Sequence, residues 1–552
     1  MTPRPIRDIG EQLGLLETEL IPYGRYKAKI SLDVLPRLAG RPRGKYVLVT
    51  AISPTPLGEG KTTTAVGLVM GLRRLGEQAV VTLRQPSLGP VFGIKGGGAG
   101  GGHACIVPME EMNLHLTGDS HAVQAAHNLL SAFADNHLSH GNKLGLDPTR
   151  PLWPRAVSVS DRALRRIRLT GKDGGEREAR FVLTEASEVM AILALATGLP
   201  DLRARLGRIV VGMTRDGRPV TAEDLRAAGA MAALLKDALC PNVMQTSEGT
   251  PAFVHAGPFG NIAHGTSSVL ADMLALRCAD YVVTEAGFAS ELGAEKFFNI
   301  KCRASGLMPD AAVIVVTLRA LKYHGGGGVM KPGQPPPAGL TGPNRAALSG
   351  GLPNLEQHLA NVRAHGIPAV VAVNAFDQDP DDELRWVCEQ ARAAGASDAV
   401  VTTHFRDGGK GAEALARSVM EACRQPGRFS FLYETDWPIK RKIETIAVRM
   451  YGASGVRYEA QAERDIELAM RWGFDRWPVC MAKTPLSLSH DPTLKGRPAG
   501  FTVPVSELRL LAGAGFLTAV CSGMQLLPGL PTHPAGEHVD IDTKTGEIVG
   551  LA

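Results

Sequence analysis

The chain has 552 residues, of which 44% are hydrophobic and 21% charged, and its formal net charge is +5 at pH 7. This length can bury a large core and predicts about two to four domains. The small net charge, without a dense Lys/Arg tract among aromatic residues, argues against nucleic acid as a partner. No apolar run approaches the length of a membrane span, so we expect no membrane partner either.

The first informative elements are an apolar run at residues 46–52, which is typical of a buried parallel strand, and a predicted helix at residues 61–75. Another strand-like run follows at residues 79–83. The loop TPLGEGKTTT, which starts at Thr55, lies between the first strand and the helix. This order predicts a βαβ unit with the loop at the carboxyl edge of a sheet.

The loop is a variant of the phosphate-binding pattern GxxxxGK[ST], with a threonine in place of the first glycine. Gly58 and Gly60 allow the backbone N–H groups to curl around an anion, and Lys61 adds a positive charge. Thr62 would offer its hydroxyl group to a phosphate-bound magnesium ion. A structural turn is the alternative. The predicted nucleotide-binding residues are Thr55, Pro56, Leu57, Gly58, Glu59, Gly60, Lys61, Thr62 and Thr63.

A second glycine cluster, at residues 93–103, follows the strand that ends near Arg84. Such a backbone can approach a ligand closely, and a flexible connector is the alternative interpretation. Because the cluster follows the βαβ unit directly, we expect Arg84 and Lys95 to face phosphate oxygens together with Lys61. A salt bridge within the fold is the alternative role for Arg84.

Further strand-like runs separated by helices predict an α/β fold with a mainly parallel, doubly wound sheet. The runs are at residues 208–212, 281–284, 312–317, 369–374 and 398–402, and helices are predicted at residues 221–239 and 355–365. The Gly/Pro-rich segment 325–353 is predicted to hold no regular element and to mark a domain junction.

The eight cysteines form no CxxC pair and no His/Cys cluster at metal-ligand spacing. We therefore expect buried free thiols. The amino-terminal residues lack an apolar core of the length that a secretory signal needs. Both observations indicate the cytoplasm.

Long runs of the chain carry a resemblance from about Tyr23 to Leu551. They include YGRYKAKI, VLVTAISPTPLGEGKTTT, LRQPSLGPVFGIKGGGAGGG, QTSEGTPAFVHAGPFGNIAHG, LGAEKFFNIKCR and AKTPLSLSHDP. These runs resemble the formate–tetrahydrofolate ligase family. The resemblance implies an enzyme that uses ATP with magnesium to activate formate as formyl phosphate. It then transfers the formyl group to tetrahydrofolate, giving 10-formyltetrahydrofolate, ADP and phosphate.

The same resemblance implies roles for individual residues. Lys61 and Arg84 match the family positions that hold the transferring phosphoryl group and the formyl phosphate. Phe376 and Phe405 match aromatic residues that stack on the pterin, although the second is usually tryptophan. The family fold implies a P-loop-type nucleotide domain at residues 1–340, α/β domains at 341–450 and 451–552, and a homotetramer. The folate substrate could carry a polyglutamate tail.

Several positions depart from the family pattern. Gln85 replaces a glutamate that the family links to activation by a monovalent cation, which leaves Asp119 as a candidate ligand. We therefore expect reduced or absent potassium activation. His103 replaces a tyrosine, Ala375 a lysine and Asp377 a proline. Two alternatives stay open: a divergent paralogue that uses another small carboxylate or a modified pterin, and a non-catalytic nucleotide-binding relative.

Overall fold

A computed structural model describes residues 2–56, 58–95, 97–171, 174–330, 335–425, 427–524 and 527–551, without the side chain of Lys95. Strands and helices alternate along most of the chain. The strands are β1 (Leu20–Pro22), β2 (Ala28–Ile30), β3 (Lys45–Ala51), β4 (Ala79–Leu83), β5 (Gly100–Gly101), β6 (Ala104–Val107), β7 (Arg155–Val157), β8 (Ile167–Thr170), β9 (Glu176–Ala179), β10 (Phe181–Leu183), β11 (Val210–Met213), β12 (Pro219–Thr221), β13 (Asn242–Thr246), β14 (Pro251–Val254), β15 (Tyr281–Glu285), β16 (Ala311–Thr317), β17 (Ala369–Asn374), β18 (Asp398–Thr402), β19 (Gly455–Tyr458), β20 (Val479–Ala482), β21 (Thr502–Leu511), β22 (Phe516–Cys521), β23 (Asp540–Ile541) and β24 (Ile548–Val549).

The helices are α1 (Ile6–Gln12), α2 (Val34–Arg37), α3 (Lys61–Arg74), α4 (Leu88–Pro90), α5 (Met109–Asn113), α6 (Asp119–Ser139), α7 (Glu188–Leu195), α8 (Leu199–Arg208), α9 (Ala228–Leu235), α10 (Val269–Cys278), α11 (Arg303–Ser305), α12 (Leu318–His324), α13 (Ala338–Thr341), α14 (Arg345–Arg363), α15 (Asp381–Ala393), α16 (His404–Asp407), α17 (Glu413–Ala422), α18 (Ile439–Tyr451) and α19 (Ala460–Arg471). Turns of π-helix occupy Val91–Lys95, Ser290–Ala294 and Phe297–Cys302.

One 12-stranded sheet organises the molecule, in the order β1-β2-β13-β14-β4-β15-β3-β16-β17-β18, with β5 and β6 attached beside β13. The strands from β14 to β18 in this order are parallel to one another. The strands β1, β2 and β13 pair antiparallel at the other edge. The predicted α/β fold with a mainly parallel sheet is confirmed.

Helices cover both faces of this sheet, so alternate residues of each parallel strand enter different hydrophobic clusters. Tyr46 and Leu48 of β3 pack in the cluster that contains α10, α12 and α14. Val47 and Val49 pack in the cluster that contains α3 and α17. A strand buried on both faces needs a continuous apolar run, which is the pattern that the sequence has at these positions.

The strand–loop–helix–strand order of the predicted βαβ unit is confirmed. Helix α3 begins at Lys61 as predicted and ends one residue early, while β4 has the predicted bounds. The two strands are not neighbours, because β15 lies between β3 and β4. The last residue of β15, Glu285, therefore lies at the carboxyl edge between the ends of β3 and β4.

The prediction that residues 325–353 hold no regular element is wrong. Helix α14 starts at Arg345 and continues through Pro353. The glycines of this segment serve close packing: a Cβ atom on Gly351 would lie 2.1 Å from the carbonyl oxygen of Leu321 in α12. The packing of the buried face of α14 thus stabilises the helix and offsets the backbone hydrogen bond that Pro353 cannot donate.

Two further predictions differ from the structure. The run at residues 208–212 becomes β11, which pairs with β12 in a separate two-stranded antiparallel sheet rather than in the main sheet. The helix predicted at residues 221–239 is shorter, because Thr221 belongs to β12 and Arg226 has a φ of +57° before α9 starts. That conformation interrupts a right-handed helix.

The carboxyl-terminal part contains a second sheet in the order β19-β21-β22-β20, which packs on α18 and α19. Strands β17 and β18 extend the main sheet beyond β16, so this sheet crosses residue 340. The domain edges at 340 and 450 stay predictions. All eight cysteines are free, and all except Cys240 are buried. Within the described ranges, no helix is long and apolar enough to cross a membrane.

Candidate functional site

The loop between β3 and α3 is shaped by two glycines in the left-handed region, Gly58 at φ +79° and Gly60 at φ +72°. Other residue types rarely adopt this conformation. Gly60 directly precedes α3, whose first N–H groups have no acceptor within the helix and whose dipole places positive potential there. The loop therefore has the backbone form of an anion site. Leu57 lies outside the described residues.

Glu59 holds this loop in shape from the inside. Its side chain is buried, and Oε1 accepts a hydrogen bond from the Thr55 N–H at 2.8 Å. Oε2 accepts one from the Thr317 hydroxyl at the end of β16, at 2.7 Å. The carboxylate of Glu59 thus points into the fold, and the part of Glu59 that is left to contact a ligand is its backbone.

Asn374, the last residue of β17, supports the loop from the next strand. Its Nδ2 atom donates to the carbonyl oxygen of Glu59 at 3.1 Å and to the Thr64 hydroxyl at 3.0 Å. Its Oδ1 atom accepts from Thr402 of β18 at 2.8 Å. Asn374 was not predicted as a site residue, although its position at the end of a predicted strand was a usable signal.

Thr62, Glu285 and Arg84 meet at the carboxyl edge of the sheet. The Thr62 hydroxyl donates to Glu285 Oε2 at 2.7 Å, and Arg84 Nη2 lies 3.5 Å from Glu285 Oε1. Arg84 Nη1 also donates to the carbonyl oxygen of Pro258 at 3.3 Å. The salt-bridge alternative for Arg84 is thus present, but both contacts are long. Glu285 is a site residue that the sequence analysis missed, because the predicted strand ended at Thr284.

The donor set suits a magnesium ion. The Thr62 hydroxyl and the Glu285 carboxylate are oxygen ligands, and magnesium is commonly bound by one or two carboxylates together with substrate phosphates. In the described part of the chain, no three His, Cys, Asp or Glu side chains gather as a metal site of their own. Thr62 and Glu285 therefore suit a magnesium ion that binds together with a phosphate group of the substrate.

Asp119, the predicted ligand for a monovalent cation, lies at the start of α6 and is buried. Its Oδ1 atom accepts from the Lys29 ammonium group at 2.7 Å, and its Oδ2 atom accepts from Asn242 at 2.7 Å. Both carboxylate oxygens thus already contact donors of the protein. Gln85 is buried, and its backbone N–H donates to Ala256.

Phe405 packs on the second glycine cluster. A Cβ atom on Gly101 would lie 3.1 Å from its ring, and one on Gly102 would lie 2.2 Å from its carbonyl oxygen. The N–H of His103 donates to that oxygen at 2.8 Å. Because the Gly101 position is also 4.0 Å from Thr63, the structure brings Phe405, the glycine cluster and the start of α3 together. Phe405 is 56% exposed.

Phe376 lies on the adjoining loop after β17 and is 37% exposed. The Arg319 guanidinium group lies 4.0 Å from the centre of its ring and covers one face. The two aromatic loops are linked by an ion pair of 2.9 Å between Arg406 and Asp377. One of the family departures, Asp377, therefore forms a contact that the usual proline cannot make.

The fold and these side chains define a class: a parallel α/β protein with a glycine loop of phosphate-binding form at the carboxyl edge. A family model described as formate–tetrahydrofolate ligase matches residues 1–552. The chain is 56% identical to the formate–tetrahydrofolate ligase of Saccharopolyspora erythraea over 553 residues, which cover 100% of this chain and 97% of that protein. It therefore belongs to the formate–tetrahydrofolate ligase family, as the resemblance predicted.

Other relatives agree along the full length. The chain is 55% identical to the protein of the same name from a Roseiflexus species, with 100% of this chain and 98% of that protein covered. It is 53% identical to the one from Methylococcus capsulatus, with 99% and 98% covered.

Proposed function

We propose that this ligase joins formate to tetrahydrofolate at the expense of ATP, through formyl phosphate. The observation that carries the proposal is the environment of Arg84. Among the described residues, its Nε atom is buried without a hydrogen-bond partner, and its other contacts are long. An unsatisfied guanidinium donor beside a glycine loop favours an anionic ligand. The family match over the whole chain supports formate and tetrahydrofolate as substrates.

In the first step, a formate oxygen attacks the γ-phosphorus atom of ATP, and the bond to the bridging oxygen breaks with release of ADP. The loop N–H groups and Lys61 would bind the phosphates, and Arg84 would bind the transferring phosphoryl group. A magnesium ion held by Thr62 and Glu285 would neutralise phosphate charge. Phosphorylation thereby gives formate a good leaving group.

In the second step, a nitrogen of tetrahydrofolate attacks the formyl carbon, the carbon–oxygen bond to phosphate breaks, and the proton that the nitrogen loses passes to the departing phosphate. The exposed ring of Phe405 and the open face of Phe376 would stack on the pterin. Each stacked face contributes about 1 kcal/mol. The cytoplasmic location and the homotetramer remain predictions that accompany this function.

The test is incubation of purified protein with ATP, magnesium, formate and tetrahydrofolate, with each component omitted in turn. We expect 5,10-methenyltetrahydrofolate on acidification only in the complete mixture. Turnover that requires another acid or another acceptor would replace this proposal with the divergent paralogue. Nucleotide binding without any turnover would indicate the non-catalytic relative.

A further inference from the structure

Two buried histidines hold the backbone of Ser53, which precedes the phosphate loop by one proline. The Ser53 N–H donates to His358 Nε2 at 2.8 Å, and His324 Nε2 donates to the Ser53 carbonyl oxygen at 2.8 Å. These roles place the proton of His358 on Nδ1 and that of His324 on Nε2. Burial lowers the pKa of His324 to about 4 and that of His358 to about 3, so both rings are neutral near pH 7.

His324 at the end of α12 and Asn354 of α14 also contact Gly496, in the segment between β20 and β21 of the carboxyl-terminal sheet. His324 Nδ1 accepts a hydrogen bond from the Gly496 N–H at 3.2 Å. Asn354 Nδ2 donates to the Gly496 carbonyl oxygen at 2.7 Å and to the Ser53 hydroxyl at 3.1 Å. Ser53 and Gly496 are therefore connected through two side chains, each of which contacts both residues.

A second connection starts from His358. Its Nδ1 atom donates to the Ser290 hydroxyl at 2.8 Å and lies 3.7 Å from Glu291 Oε2. The other oxygen of Glu291 pairs with the Lys483 ammonium group at 3.2 Å, and both side chains of this pair are fully buried. Lys483 directly follows β20, so the segment 483–496 is attached to this network at both ends.

We propose that His324, His358 and Asn354 are positioning residues through which the carboxyl-terminal segment 483–496 sets the placement of the phosphate loop. The inference rests on the proposed function of that loop. Pro54 has a fixed φ and joins Ser53 to Thr55, so a displacement of Ser53 passes directly to the loop. A small misplacement of binding groups is costly in a site that acts by orientation.

Two substitutions of His324 test its contact with Ser53 separately from its contact with Gly496. In His324→Gln the amide nitrogen reproduces the donor to Ser53, whereas in His324→Asn the amide oxygen reproduces the acceptor for Gly496. We expect His324→Asn to weaken the binding of Mg·ADP by about tenfold, because a buried backbone carbonyl loses its donor. His324→Gln should stay within about twofold of the wild type. Calorimetric titration measures both, and the KM for ATP should follow the same order.

The matched control is His365→Gln, which reproduces only the Nε2 position of the ring and therefore removes a donor to a backbone carbonyl group. His365 is equally buried, but it contacts Ser430 near the amino-terminal end of β17, at the opposite edge of the sheet. It should lower the melting temperature without changing Mg·ADP affinity. Should His324→Asn not fold, Asn354→Ala gives the same readout, because it removes contacts to both Ser53 and Gly496.

Equal losses of affinity in His324→Asn and His324→Gln, or the same loss in His365→Gln, would overturn this inference alone. Normal affinity in Asn354→Ala would also do so. A wild-type protein that binds no Mg·ADP would overturn the proposed function together with the inference.

Discussion

The guanidinium group of Arg84 makes two long contacts, at 3.3 and 3.5 Å, and its Nε donor has no partner among the described residues. It can therefore turn toward a phosphoryl group with little loss of internal bonding. We expect Arg84→Ala to lower kcat by about 100-fold or more, with a much smaller change in nucleotide affinity. The kcat of Arg84→Lys should lie between that of the wild type and that of Arg84→Ala, because an ammonium group lacks the two parallel donors of a guanidinium group. Lys61→Ala should abolish turnover.

Steady-state kinetics and Mg·ADP titration separate these effects. A near-normal kcat in Arg84→Ala would show that its salt bridge with Glu285 is only structural.

Phe405 offers a largely exposed ring on a backbone fixed by Gly102 and His103. We expect Phe405→Ala to raise the KM for tetrahydrofolate by about fivefold, because one stacked face contributes about 1 kcal/mol. The KM for formate should not change. Phe405→Trp is the matched variant and should keep or lower the folate KM. If the folate KM were the same in Phe405→Ala as in the wild type, the residue would not belong to the folate site.

Asp119 illustrates how a neighbouring cation changes a predicted ion site. Its two oxygens accept from Lys29 and Asn242, and Gln85 supplies no carboxylate nearby. We therefore expect the initial rate to change by less than about twofold when potassium replaces a larger cation at fixed ionic strength. Strong stimulation by potassium or ammonium would contradict this prediction.

The packing of α14 on α12 explains why the Gly/Pro-rich segment is helical. Gly351 lies so close to Leu321 that a methyl group has no space. We expect Gly351→Ala to lower the free energy of unfolding by about 1 to 3 kcal/mol through overpacking. Gly40→Ala is the control, because a Cβ atom added at Gly40 would have no neighbour within 4 Å. Urea unfolding of both variants is the measurement, and equal midpoints would contradict the packing argument.

The bounds of a strand or helix could be predicted from the sequence where a short run of neighbouring residues determines them. The strands β4, β17 and β18 have the predicted bounds. The strands β4 and β17 are buried along their whole length, which requires a continuous apolar run, whereas β18 lies at the edge of the sheet and is partly buried. The helix predicted from residue 355 is the second half of α14, which starts ten residues earlier, at Arg345. This first half was missed because Gly351 and Pro353 are determined by tertiary packing rather than by propensity.

The same division holds for the site. The glycine loop and Arg84 follow from motifs along one stretch of chain. Glu285 and Asn374 reach the loop only because β15 and β17 lie beside β3 and β16 in the sheet. Strand order is a property of the whole fold, so their hydrogen bonds to Thr62 and Glu59 were not predictable from spacing.

Across the whole molecule, many histidines are buried in the neutral form. Burial lowers their pKa values to about 3 or 4, and in one case well below the usual value. These residues are His127, His255, His264, His324, His358, His365 and His404. An unfolded chain binds protons at these rings near pH 6.5, whereas the folded chain does not. Their contribution to stability is therefore present above about pH 6.5 and is lost as the pH falls toward 4.

Three buried carboxyl groups, those of Glu185, Glu188 and Glu295, act in the opposite direction, because burial raises the pKa of each. Burial raises the pKa of Glu188 to about 8 and that of Glu295 to about 7, so the folded chain holds protons that the unfolded chain releases. Stability from these groups increases as the pH falls through their folded pKa values. The neutral histidines outnumber them, so the net effect below pH 6.5 is a loss.

We therefore expect the protein to lose stability steeply between about pH 7 and about pH 5.5. Each of these histidines loses about 1 kcal/mol over this interval, and the fewer buried carboxyl groups offset part of that loss, which leaves a net loss of a few kcal/mol. That loss is a large fraction of the stability of many domains. Urea midpoints at pH 7, 6 and 5.5 measure it, and His365→Gln should make the dependence on pH less steep. A midpoint that stays constant or rises as the pH falls would contradict the neutral burial of these histidines.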